Sequence, residues 1–204
     1  MSLYKSNFWD ERFSGEEFVY GMEPNQFFKE QIGKIPKPGK LILPGEGEGR
    51  NAVYAARSGW QVNAFDQSRV AQQKALKLAQ QYKVQINYEV IDLNYFTPPN
   101  NIYQAAAVIF VHLPPVEQSK LHKKLINSLA KGGIIILELF SKNQLGKESG
   151  GPQDISMLSS IDEIQNDFRN MKTILIEEKN FYLTEGRKHS GEASVIRFVG
   201  EKID

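Results

Sequence analysis

Cysteine is absent from all 204 residues, and that absence alone removes several chemistries. Disulfide bridges, thiolate nucleophiles and cysteine-based zinc sites are excluded. Histidine is scarce: His112, His122 and His189 lie far apart, so no metal-ligand spacing is offered and no metal is expected. Charge of one sign is also missing. Lys and Arg number 25 against 24 Asp and Glu, a formal charge of +1, which argues against nucleic acid as a dominant partner. No run approaches the roughly eighteen apolar residues of a membrane-spanning helix. Met1-Ser2-Leu3-Tyr4-Lys5 lacks the apolar core of a signal peptide. Internal repeats and low-complexity tracts are lacking too. A cytoplasmic protein without membrane or nucleic-acid partners is the default, and its oligomeric state, monomer or homodimer, stays open.

What is present is ordinary globular material, 41% hydrophobic and 24% charged. The length suits one domain over 1–204, with an aromatic-rich segment at 1–35 as a lid or helical piece and a hairpin at 173–202. Short apolar runs at 40–43, 61–65, 86–91, 105–111 and 134–139 read as strands. Helical stretches fall between them, one of them stopped by Gly132-Gly133. The run Ala105-Ala106-Ala107-Val108-Ile109-Phe110-Val111 has no polar alternation, as a strand covered on both faces requires. Ser160 with Glu163 forms a capping box. Near the end, Val195, Arg197 and Val199 alternate with Ile196 and Phe198, the period of an antiparallel strand. Five β/α units and a closing hairpin make an α/β, doubly wound, Rossmann-like sheet of seven strands.

The most informative stretch is Leu43-Pro44-Gly45-Glu46-Gly47-Glu48-Gly49-Arg50-Asn51-Ala52. An apolar strand enters a turn with glycine at every second position, and a helix follows. Such a turn lets the backbone take positive φ and lets a nucleotide-like ligand approach the main chain. About seventeen residues past the last turn glycine, the second strand ends in Asp66, placed to accept from ribose hydroxyls. Gly47-x-Gly49-x-x-Ala52 also satisfies the dinucleotide fingerprint, so an NAD-dependent reductase is an alternative, as is a cofactor-binding protein without turnover. Glu46 and Glu48 in the turn would repel a pyrophosphate but not a sulfonium, unless either points into solvent.

The chain resembles class I S-adenosylmethionine-dependent methyltransferases, in particular the tellurite-resistance and thiopurine-methyltransferase-like branch. The resemblance rests on Trp9 with Arg12-Phe13, Tyr20-Gly21-x-x-Pro24-Asn25, the glycine turn, Asp66, Asp92-Leu93, His112-Leu113-Pro114-Pro115, Gly132-Gly133 and Glu185-Gly186-x-x-His189-x-Gly191. It implies methyl transfer from S-adenosylmethionine to a small acceptor, a thiol or chalcogen oxyanion. Gly45, Gly47 and their neighbours Glu46, Arg50 and Asn51 would lie about the methionyl part. Asp66 and Gln67 would hold ribose and flank adenine, and Asp92 and Leu93 would meet the adenine edge. Val111 and His112 would lie beneath the sulfonium. Trp9, Arg12 and Tyr20 would cover the cofactor, with Arg12 on its carboxylate. Leu43 stands where many relatives have an acidic residue, and Glu46 is the obvious substitute.

For catalysis the candidates are His112, at the end of a central strand, and His189 with Arg187 in the hairpin loop. Each has a bland counterpart: His112 as a turn cap, His189 as part of a solvated turn. The pair Arg187-Lys188 is either solvated surface or an attraction for an anionic acceptor. His122 reads as ordinary helix surface. Glu138 either faces the acceptor or accepts from the adjoining loop, and residues 146–151 are either a flap or a disordered loop.

Overall fold

The computed structural model describes residues 6–203; the stretch Met1 to Lys5, read above for its polarity, lies outside them. Seven strands form one sheet in the order β3-β2-β1-β4-β5-β7-β6. The parallel part comprises β1 (Lys40–Pro44), β2 (Gln61–Asp66), β3 (Asn87–Val90), β4 (Tyr103–Ile109) and β5 (Leu129–Phe140). Strand β7 (Ser190–Lys202) runs antiparallel to both β5 and β6 (Met171–Thr184). The doubly wound seven-stranded sheet with its closing hairpin agrees with the sequence reading.

Both faces of the central strands are covered, which is why their sequences are continuously apolar. Adjacent residues enter opposite layers. Leu41, Leu43, Ala105 and Ala107 pack with Phe27 and Phe28 of α2 (Gln26–Ile32), Ala52 of α3 (Arg50–Arg57) and Ala75 of α4 (Arg69–Gln81). Ile42, Ala106 and Val108 join Leu121 and Leu125 of α5 (Pro115–Ser128) and Ile164 of α6 (Ile161–Asp167). Before them all, α1 (Ser6–Phe13) lies against α4. Ser160 and Glu163 cap α6 reciprocally, as their spacing predicts. Pro115 opens α5.

Two expectations need correction. Gly132-Gly133 does not stop α5, which ends at Ser128. The glycines lie inside β5, beside a register shift opposite Tyr103 and Ala105. A side chain at Gly133 would meet the carbonyls of Ala130 at 2.7 Å and Tyr103 at 3.0 Å, so the position serves close backbone approach. Nor are there five complete β/α units. Residues 91–102, between β3 and β4, hold turns and no helix, consistent with Pro98-Pro99 and the lack of an apolar stripe.

Gly49 shows how tightly the glycine turn is set. It takes φ +87°, and an added Cβ would sit 2.5 Å from the Ala75 Cβ and 2.9 Å from the Ala75 Cα. Gly49→Ala is therefore expected to cost about 2–3 kcal/mol, through left-handed strain and overpacking against α4. In urea unfolding the midpoint should fall with an unchanged m-value.

Candidate active site

A cavity opens at the carboxyl ends of β1, β2 and β4, where the connections from the neighbouring strands β1 and β4 run in opposite directions along the sheet. Gly45 (φ +63°) approaches the wall opposite so closely that a Cβ would lie 2.7 Å from Val111 Cγ2. Asp66, at the tip of β2, accepts from the amides of Gly47 (3.0 Å) and Ser68 (2.9 Å). Tyr88 Oη donates to the Gly47 carbonyl at 2.6 Å, bracing the turn from β3. Burial pushes the Asp66 carboxyl up to about 6, against the pull of those amides.

The two turn glutamates part company. Glu46 lines the cavity, and its Oε1 accepts from the Ala52 amide at 2.7 Å, satisfying an orphan donor of α3 that Gly49 cannot cap. Desolvation pushes Glu46 up to about 7, despite the Ala52 amide and nearby Arg50. Glu48 turns away into the protein. It pairs with Lys74 at 2.6 Å and accepts from the Val19 amide at 2.8 Å, fixing the segment before α2. Only one of the two carboxylates in the turn therefore addresses the cavity.

All the cofactor-binding candidates except Arg12 line this one cavity, as do His112 and His189. Arg12 turns toward a neighbouring cleft, its guanidinium 5.2 Å from the Phe8 ring centroid and hydrogen-bonded to the Tyr20 hydroxyl. Arg187 is misplaced in the sequence reading as well. It stands 3.9 Å from Glu17, largely exposed and outside the cavity, because the hairpin turn carries it onto the outer surface of the N-terminal segment.

His112 does not fit the role of base. Nδ1 lies 3.1 Å from the Met157 carbonyl, and Nε2 accepts from the Phe140 amide at 3.4 Å. That pattern assigns the proton to Nδ1 and occupies both ring nitrogens. Desolvation pushes its pKa down to about 4, so the ring is neutral. His189 is buried among Tyr20, Phe110 and Phe140, with ring centroids 4.4, 4.6 and 5.4 Å away. Burial, then the charge of Arg50, holds its pKa well below the usual histidine value. Its Nδ1 is buried without a hydrogen-bond partner among the described residues.

Sequence reasoning missed Phe13, Phe110, Glu117 and Met157, all on the cavity wall. Phe110 carries the clearest physical signature, φ +54° in a non-glycine residue, yet nothing local in the sequence announces it. Glu138 is not in the cavity. It accepts from Asn25 Nδ2 (2.6 Å) and Arg197 Nε (2.5 Å) in a buried network that continues through Glu185 to Arg50. His122 is fully buried, not surface, and pairs with Asp167 at 2.7 Å. The glycine-rich loop is anchored: buried Gln144 donates to Ser149 Oγ and the Gly150 carbonyl and accepts from the Ser194 amide.

The donor set discriminates between ligands. Glu46, Asp66, Asp92 and Glu117 face the cavity against one guanidinium, Arg50, which is committed to Glu185 (2.7 Å) and the Tyr20 carbonyl (3.1 Å). Among the described residues a pyrophosphate finds no free cation there, whereas a sulfonium, an ammonium and ribose hydroxyls meet acceptors. Residues 44–133, which supply most of the cavity's lining, match the methyltransferase domain family.

That match spans 90 of the 204 residues. An enzyme that uses S-adenosylmethionine as its cofactor is what the match and the donor set support. Asp66 fits the ribose, since its oxygens keep lone pairs beyond those given to Gly47 and Ser68. Glu46 fits the positively charged methionyl end. No curated protein matches the chain in sequence. Among solved structures, a protein of echinomycin biosynthesis, from the conversion of a disulfide bond into a thioacetal, is 15% identical with a TM-score of 0.75, covering 98% of this chain and 93% of that one. TehB of Haemophilus influenzae is 14% identical with a TM-score of 0.73, covering 97% of this chain and 66% of TehB. Phosphoethanolamine N-methyltransferase 2 of Haemonchus contortus, solved with S-adenosyl-L-methionine, is 16% identical with a TM-score of 0.70, covering 98% and 58%. Identities this low speak for the shared fold. Among the described residues no helix is long and apolar enough to cross a membrane, and no group of three or more His, Asp or Glu is placed to hold a metal.

Proposed function

We propose that the methyltransferase acts on a small-molecule acceptor at a soft nucleophile, a thiolate or a chalcogen oxyanion, by in-line displacement without a side-chain base. The observation that carries this reading is His112, held neutral with both ring nitrogens occupied at the strand end where a base would stand. S-adenosylmethionine supplies a methyl carbon already activated by its sulfonium. The protein's part is positioning, which can supply roughly 7–11 kcal/mol of the barrier. The turn at Gly45–Gly47 sets the depth of the site and Val111 forms its wall, while Trp9, Phe13 and Tyr20 exclude water from above. The rings of Phe110 and Tyr20 and the neutral His189 make the acceptor's side polarizable and uncharged.

Incubation with S-adenosylmethionine and a panel of thiols, selenite, tellurite and amines, read by S-adenosylhomocysteine release and mass of the methylated product, tests this. Preferential binding of NADH over S-adenosylhomocysteine would favour the reductase reading instead. His112→Gln is expected to keep turnover within about tenfold, because removal of a true base costs a hundred- to ten-thousandfold. The pH profile of kcat should keep its shape in that variant. A lost limb would reinstate His112 as the base.

A further inference from the structure

A second cleft adjoins the cofactor cavity, between α1 and residues 146–153, and the two share only Tyr20 and His189. The charges on either side of that partition are opposite. The cavity side presents carboxylates, whereas the cleft presents Arg12, Lys147 and Lys188 against a single acid, Glu148. Among the described residues none of these three cations is in an ion pair, in a chain whose formal charge is only +1. Solvated surface charges normally intermix in sign, so such segregation on two sides of one partition points to a ligand with two ends.

The partition itself is built to be contacted. The Cδ2–Nε2 edge of His189 lies against Gly150, where a Cβ would fall 2.7 Å from Cδ2, and the loop is held there by Gln144. Nδ1, on the other edge of the ring, is the buried polar atom left without a partner.

We propose that this cleft binds an anionic group, carboxylate or phosphate, at the far end of the methyl acceptor, so that the nucleophile sits by Tyr20 and His189 while the charge rests among Arg12, Lys147 and Lys188. The proposal rests on the methyl-transfer reading and narrows its substrate to small organic anions. The anion is not the methylated atom: Tyr20 and His189 separate it from the cofactor's cavity.

The test uses 4-mercaptobenzoate and its neutral analogue 4-mercaptobenzamide with the full chain. Binding to protein saturated with S-adenosylhomocysteine is measured by calorimetry, and KM and kcat with S-adenosylmethionine. The benzoate is expected to bind about tenfold tighter and show about tenfold lower KM, with kcat similar for the two. In the double variant Lys147→Gln/Lys188→Gln the preference should collapse to about twofold or less, and it should weaken with salt in the wild type. Phenyl phosphate and benzoate as competitors tell which oxyanion the cleft prefers. Equal binding of benzoate and benzamide by the wild type, or an undiminished preference in the double variant, overturns the proposal. Failure of S-adenosylhomocysteine to bind at all is read on the same samples and counts against the methyltransferase reading instead.

Discussion

Arg197→Ala should destabilise the protein by about 3–5 kcal/mol, a large share of the roughly 5–15 kcal/mol that holds a domain of this size together. The Arg197 guanidinium is sandwiched between Phe27 (4.8 Å) and Phe181 (4.9 Å), and its Nε meets Glu138 Oε2 at 2.5 Å. Glu138 is fully buried, so deleting its partner leaves a carboxylate that water cannot reach. The deficit should depend on pH with a defined sign. Burial already raises the Glu138 pKa above its ordinary 4.5, and Arg197 is the largest influence lowering it. Without Arg197 the folded-state pKa climbs further. A carboxyl raised in the folded state contributes its stability below its unfolded pKa and loses it as pH rises through the folded value. The variant's deficit should thus be smallest below about pH 4.5 and grow toward neutrality. Urea melts of both proteins at about pH 4 and pH 8, which bracket that rise, check it. Equal deficits at the two would mean the loss is one of ring packing alone. The double variant Glu138→Leu/Arg197→Met should recover most of the stability, since no charge is left unpaired.

The sheet was legible because its strands are covered on both faces and its turns are marked by glycine and proline. Leu41 to Leu43 and Ala105 to Ile109 advertise burial through unbroken apolar runs, and Asp66 advertises the site by ending one of them. The capping box at Ser160 and Glu163 needed only a spacing of three. What escaped depends on contacts remote in sequence. Whether Glu46 or Glu48 faced the cavity was decided by Lys74 and the Val19 amide, each more than twenty residues from Glu48. Arg12 and Arg187 were assigned by chemical type, but their direction is set by how α1 and the hairpin dock. His112 stands as a candidate base or a turn cap from its place at a strand end, and the two partners that decide between them, Met157 and Phe140, arrive from later elements. Local pattern specifies elements and the strand-end site, while the direction of a long polar side chain is a property of tertiary packing.

Cofactor affinity is expected to rise steeply between about pH 5 and pH 8, and to fall in Asp66→Ala by about 1–3 kcal/mol, roughly five- to 150-fold. Desolvation leaves Glu46 near 7 and Asp66 near 6 in the free protein. Both are above their unfolded values, so these two carboxyls take stability away as pH rises from about 4 to about 7. A ligand bringing positive charge to Glu46 and hydroxyl donors to Asp66 favours the ionised forms, lowering both values. Binding must then release protons across that window, and must tighten as pH rises through it. Calorimetric titration with S-adenosylmethionine in two buffers of different ionisation enthalpy counts those protons directly. Asp66→Ala should remove the part of the release centred near pH 6, and Glu46→Gln the part near pH 7. The thermal shift produced by S-adenosylhomocysteine should be larger at pH 8 than at pH 5, because the free protein carries the greater electrostatic burden there. Affinity independent of pH, with wild-type binding in Asp66→Ala, would mean that neither carboxylate touches the ligand, and the ribose and the charged end would have to be sought elsewhere in the cavity.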